Sequence, residues 1–318
     1  MIVEKVSADK IEVDGTWQTK TTVCGNILEL AAFSKVNRAG SQIYNLGERR
    51  YCHKDDVEVD YQTGEVTIPE ECIKEFKEKA VARVDNLQGL RRSMKAVRDL
   101  INCNVVNPVS ARWITLTYAE NMTDPKRLYT DRGAFWKRVK RWCTKNDIAI
   151  PEYISVVEPQ ARGAWHLHEL WIFPDKAPFL ENEVVRNLWS FGFVTVRALE
   201  NVDNVGAYLT AYLCDIPLEE AEAGTSGTVV TKQFAENGKQ IEKKFVKGGR
   251  LHLYPAGMNF YRTSRGVARP DVSWTSYGVA KENVDGLTST FERGLHLSDG
   301  EGFESDIKYE YYNRVRKK

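Results

Sequence analysis

Two histidines two residues apart, His166 and His168, lie in the run Trp165-His166-Leu167-His168-Glu169-Leu170-Trp171-Ile172-Phe173. Its length and aromatic content are those of a strand. Alternate residues of a strand project from one face, so the two imidazoles stand side by side. Such a pair can ligate a metal, although a lone His-x-His is also ordinary strand sequence. A third donor lies just upstream. Tyr153 to Glu158 reads as another strand, and Pro159-Gln160-Ala161-Arg162-Gly163-Ala164 reads as the turn of an antiparallel hairpin. A register that sets Glu158 opposite His166 or His168 brings one carboxylate and two imidazoles together. That donor set, with open positions, suits a divalent ion such as Mn²⁺ or Mg²⁺. Glu169 competes as a ligand, but as the strand neighbour of His168 it turns to the opposite face. Gln160 shares the parity of Glu158 and is placed to orient a ligand from behind.

Farther along, Asp203 or Asn204 can cap a helix over Val205–Cys214, with Pro217 beyond its end. Tyr208 and Tyr212 are four apart, so they stack on one helix face. Two phenols near a metal make a pair of oxygen nucleophiles, and the plainer use of such a pair is aromatic packing.

The surrounding elements must hold these groups. Arg112 to Tyr118 reads as a strand, Ala119 to Pro125 as a loop, and Gly133 to Asn146 as an amphipathic helix. Glu181 to Ser190 reads as a second helix and Phe193 to Ala198 as another strand. The order strand, helix, strand, strand, helix, strand predicts an α+β fold. Its centre is a mainly antiparallel sheet of split βαβ, ferredoxin- or RRM-like topology, flanked by helices and extended at both ends. A doubly wound sheet is the alternative, but no glycine-rich phosphate loop follows a strand.

Residues 1–68 form a β-rich region of unassigned role, with a small hairpin over 57–68. Residues 69–217 form the central domain with its preceding helices, and 218–318 a basic C-terminal region. Pro69 to about Cys103 reads as helix in two pieces, broken near 85–89. His252 falls in an expected strand, and the last residues from Tyr309 in an expected frayed helix.

The 318-residue chain has a formal net charge of +1, but its charges segregate. Arg91, Arg92 and Lys95 share the polar side of the second helical piece. Lys243, Lys244, Lys247 and Arg250 interleave with Phe245, Tyr254, Phe260 and Tyr261. Cations for phosphates beside aromatic faces suit single-stranded nucleic acid, and Arg162 in the hairpin turn joins this set. Six scattered cysteines without a Cys-x-x-Cys pair indicate neither a zinc ribbon nor a disulfide framework. No apolar run approaches the roughly 20 residues of a membrane span, and the N-terminus lacks a signal-peptide pattern, so a cytoplasmic protein is expected.

Three of these segments resemble the motifs of rolling-circle replication initiators of the HUH endonuclease superfamily, in the branch with two tyrosines. They are Trp113-Ile114-Thr115-Leu116-Thr117-Tyr118, then His166-Leu167-His168 after Glu158-x-Gln160-x-Arg162-Gly163, then the helix with Tyr208 and Tyr212. They span residues 112–215. Leu90 to Met94 before them and Gly249 to Pro255 after them are also similar to plasmid- or phage-type initiators. One departure stands out: many relatives carry lysine where this chain has Ala211 or Cys214. The resemblance implies metal-assisted nicking and rejoining of single-stranded DNA at an origin. A tyrosine oxygen attacks the phosphodiester, leaving a 5′-phosphotyrosine and a free 3′-hydroxyl, and the two tyrosines alternate. It also implies a bacterial host's helicase and polymerase as partners, since no Gly-x-x-x-x-Gly-Lys-Ser/Thr loop occurs here. A transposase or relaxase shares this chemistry. A non-catalytic DNA-binding regulator and a hydrolase that uses water are the readings from other classes.

Overall fold

The structure is a computed structural model and describes residues 2–35, 43–47, 50–53, 58–59, 66–75, 87–160, 163–199, 204–221, 228–236, 239–255, 258–298 and 303–315. Helix α1 (Leu87–Asn104) precedes the first strand of a central sheet, β1 (Ala111–Tyr118). Then come α2 (Pro125–Lys145), β2 (Glu152–Pro159), β3 (Trp165–Ile172), α3 (Asn182–Trp189), β4 (Gly192–Ala198) and α4 (Val205–Cys214). A short strand, β5 (Tyr261–Thr263), returns much later. The strand order is β4-β1-β3-β2-β5, antiparallel throughout. The first four strands and their two crossover helices have the split βαβ arrangement, and the fold is α+β as expected.

Both faces of this sheet are covered. Ile114, Leu116, Val157, Leu167 and Trp171 pack under α2 and α3, against Phe135, Val139, Val185 and Trp189. Trp113, Ile154, Val156 and Leu170 pack on the other side under α1 and α4. The helices contribute Leu90, Met94, Val97, Leu100 and Ile101 from α1, and Val205, Leu209 and Leu213 from α4. Burying each such side chain is worth about 1.5–3 kcal/mol, which makes both layers firm supports.

Helix α2 starts at Pro125, eight residues before the expected Gly133. Asp124 accepts the Lys126 N–H at 2.8 Å, and Pro125 occupies the first turn. An Asp cap followed by proline is a start signal that the polar first turn obscured. The first expected helical piece after Pro69 is instead a 3-10 turn, Glu70–Cys72, then a strand, Lys74–Glu75, on Arg50–His53. Pairing with a distant strand overrides local helix propensity there. Residues 76–86 lie outside the described residues. His252 sits in a 3-10 turn, Leu251–Leu253, rather than a strand.

The expected helix near the C-terminus is a strand, Glu304–Asn313, paired on both sides. It belongs to a six-stranded antiparallel sheet built from both ends of the chain. From the N-terminal side come Ile2–Val6, Gln18–Cys24 and Ile27–Phe33; from the C-terminal side come Asp271–Ser276, Ser289–Ser298 and Glu304–Asn313. With β5 at the edge of the central sheet, strand pairing cuts across the boundaries expected at residues 68 and 217. The small hairpin is present as Glu58–Val59 on Val66–Thr67. No helix among the described residues is long and apolar enough to cross a membrane.

Candidate metal centre and tyrosine helix

The β2–β3 register sets Glu158 directly across from His166, and Val156 across from His168. On the far side of β3, Thr117 and Thr115 continue the same two rows. Opposed residues of an antiparallel pair share a face. Glu158, His166 and His168 therefore project together, and one donor atom of each lies within 4.8 Å of the other two. The turn between the strands closes through Gln160 N–H to Ala164 O (2.8 Å) and Gly163 N–H to Gln160 O (2.9 Å). Gly163 takes a positive φ of 82°, which suits a residue without Cβ. Gln160 thus helps to shape the turn through its backbone. Arg162, expected at DNA, lies outside the described residues.

Each part of the His168 ring has a neighbour. Trp113 stacks on it, with centroids 5.1 Å apart and planes 12° apart. Thr115 Oγ1 lies 3.2 Å from Nδ1. Nε2 meets Glu158 Oε2 in a hydrogen-bonding contact. With the proton on Nδ1, that nitrogen donates to Thr115 and the Nε2 lone pair is directed at the carboxylate side, where a cation would sit. Glu158 and His168 are each only 7% exposed. Burial by itself would raise the Glu158 carboxyl. The charge and hydrogen bond of His168, then Arg250, then His166, outweigh it and hold the carboxyl below the usual carboxylate range. Two imidazoles and an ionised carboxylate fit a divalent cation by their chemistry.

Glu169 faces the other layer. It is fully buried and makes a two-pronged pair with Arg132 of α2, at 2.9 and 3.2 Å. The Arg132 guanidinium lies 3.8 Å from the Tyr153 ring centroid. One glutamate serves each face, as strand parity requires.

Asn204 caps α4, its Oδ1 accepting the Ala207 N–H at 2.9 Å, and Asp203 lies outside the described residues. Gly206 presses against α1, where its N–H donates to Asn102 Oδ1 at 2.8 Å. Leu209 and Leu213 share a core with Trp113, Val156 and Leu170. Helix α4 therefore lies over the sheet face that carries Glu158 and the two histidines. Tyr208 and Tyr212 sit one turn apart in it.

The expected DNA contacts divide. Arg91, Arg92, Lys244 and Lys247 are exposed. Lys95 instead bonds Asp99 at 2.7 Å and Glu29 at 3.1 Å. Arg250 is 7% exposed and directed inward, to Glu158 Oε1 at 3.0 Å, so it meets the metal centre rather than solvent. Lys243 belongs to a strand, Lys239–Val246. Sequence reasoning passed over Phe193 on β4. It stands opposite Thr117, in the row that runs on to His166 and Glu158, and is 66% exposed. Arg197, four residues along the same strand face, is also exposed. The parity of β4 with β1 was the available signal. Arg250 offered none, because the Pro159 carbonyl it reaches is 91 residues away.

A family of replication-associated proteins, described as Replication-associated protein ORF2, matches residues 111–216. The matched span opens with β1 and closes just after α4. It supports a replication-associated protein and includes all three candidate ligands and both tyrosines. No curated protein and no solved structure matches the chain.

Proposed function

We propose that this protein is a rolling-circle replication initiator of the HUH endonuclease kind, which nicks and rejoins single-stranded DNA at an origin. The observation that carries this reading is the convergence of Glu158, His166 and His168 on the face beneath the helix with the two tyrosines. Glu158, His166 and His168 hold the cation, Mn²⁺ or Mg²⁺, and Thr115 and Trp113 fix the His168 ring. A bound cation supplies Lewis-acid polarisation of the non-bridging oxygens of the scissile phosphate. Tyr208 or Tyr212 provides the nucleophile. Its oxygen bonds to phosphorus as the phosphorus–O3′ bond breaks; the phenol gives up its proton and the 3′-oxygen gains one. The tyrosine ester keeps the energy of the broken bond, so a 3′-hydroxyl can reverse the step without ATP. A second phenol lets one tyrosine hold a DNA end while the other cuts. Phe193 offers a face for a base beside the centre, and Arg197, Lys244 and Lys247 are available to phosphates. Unwinding and synthesis fall to a helicase and polymerase of the bacterial host.

The decisive experiment incubates the protein with Mn²⁺ and single-stranded origin oligonucleotides. Wild type should yield a covalent protein–DNA adduct on a denaturing gel. Tyr208→Phe with Tyr212→Phe should abolish it, and an undiminished adduct in that variant refutes the assignment. Cleavage without any protein-linked DNA would favour a hydrolase that uses water.

A further inference from the structure

We infer that the segment from Arg250 to Tyr254 is a strap that sets the tyrosine helix against the metal-binding strand, with Arg250 and Tyr254 as positioning residues. This rests on the reading of the site as a tyrosine transesterase. Two buried side chains, four residues apart, each bridge the same two elements. Arg250 Nε–H donates to Asp215 O, immediately beyond α4, at 3.0 Å. Its Nη1 donates to Pro159 O at the end of β2, at 3.2 Å, and pairs with Glu158 Oε1 at 3.0 Å. The Tyr254 hydroxyl lies 3.2 Å from Leu213 O in the last turn of α4 and 3.1 Å from Val157 O in β2. Tyr254 is fully buried, and Leu251 between them anchors the 3-10 turn in the core. The Gly248 N–H adds a third tie, to Asp215 Oδ1 at 2.8 Å.

The chemistry of these contacts goes beyond packing. The last carbonyls of a helix lack intrahelical partners, and here Leu213 O and Asp215 O are met by side chains that also reach the ligand strand. Arg250 takes one oxygen of Glu158 while the other faces His168. A planar guanidinium can serve three acceptors in fixed directions, which a lysine ammonium on a flexible stem cannot copy. The carboxylate is thereby held with one oxygen turned to the imidazoles. At its other end α4 is seated on α1 through Gly206 and Asn102. Seat and strap together fix the approach of the phenols, and a misplacement of about 1 Å can cost 10²-fold in rate.

Tyr254→Phe keeps the ring and removes only the hydroxyl. We expect kcat for adduct formation to fall about tenfold or more with KM for the oligonucleotide unchanged, as positioning losses do. Hydrogen exchange in residues 211–215 should rise, while Mn²⁺ affinity stays at the wild-type value. Arg250→Lys keeps a cation near Glu158 but loses the fork, and Mn²⁺ affinity by titration calorimetry should fall about tenfold. Wild-type kcat and wild-type exchange in Tyr254→Phe overturn the strap, as does wild-type Mn²⁺ affinity in Arg250→Lys. If wild-type protein forms no adduct, the transesterase reading fails instead, and exchange and Mn²⁺ affinity still decide whether the strap exists.

Discussion

His168 shows how a ligand is made from an ordinary strand histidine. Trp113 holds the ring plane, Thr115 faces one nitrogen and Glu158 the other. An imidazole whose second nitrogen is hydrogen-bonded is fixed in tautomer and direction, and losing such a partner typically costs 10–100-fold in metal affinity. Thr115→Val keeps the shape and removes the hydroxyl. Mn²⁺ affinity should fall about tenfold in calorimetry with the far-ultraviolet spectrum unchanged; unchanged affinity would mean that Thr115 does not orient the ring. Residue type alone misplaces Arg250 and Lys95. Both are cations in basic stretches, yet one is spent on Glu158 and the other on Glu29 and Asp99.

At the scale of elements, the placement of α4 depends on a glycine. A Cβ on Gly206 would come within 2.4 Å of Arg98 O and 2.7 Å of Asn102 Oδ1. Neither atom can yield easily, since one is helix backbone and the other holds the Gly206 N–H. Gly206→Ala should therefore push α4 off α1, destabilising the fold by about 1–3 kcal/mol in urea unfolding and slowing adduct formation. Gly133 in α2 is the matched control, with nothing within 4 Å of its would-be Cβ. Alanine there should stabilise by about 0.4–1 kcal/mol, because it removes freedom from the unfolded chain. Equal effects at the two sites would show that the contact with α1 does not seat the tyrosine helix.

For the whole molecule, the sheet formed by the two chain ends is connected to the site through α1. Lys95 on α1 pairs with Glu29, and Asn26 Nδ2 donates to Val106 O at 3.3 Å. Gly25, at φ 57°, leaves room for the Asn102 backbone, since a Cβ there would lie 2.5 Å from its carbonyl oxygen. A chain ending at residue 268 lacks three of the six strands and uncovers Leu28 and Leu30, both fully buried. It should aggregate or lose protection against limited proteolysis across residues 2–33, because unpaired strand edges and bare apolar surface are left behind. A monomer with wild-type protection there would show that the terminal sheet is dispensable.

Much of the central unit was legible in the chain. Strand alternation placed His166 and His168 on one face and Glu169 on the other, and helical spacing placed Tyr208 above Tyr212. The order of elements specified the split βαβ sheet, because these are local periodicities that the chain itself carries. What local pattern could not supply was long-range partnership. The Asp-Pro start of α2 was hidden by a polar first turn, and the strand Glu304–Asn313 carries aromatic and basic residues that a helix could also use. The sequence by itself determined the donor types and the faces they share. Only the tertiary structure decided which distant side chains close around them, because Arg250, Tyr254 and the joined chain ends meet partners whose separation along the chain leaves no periodic trace.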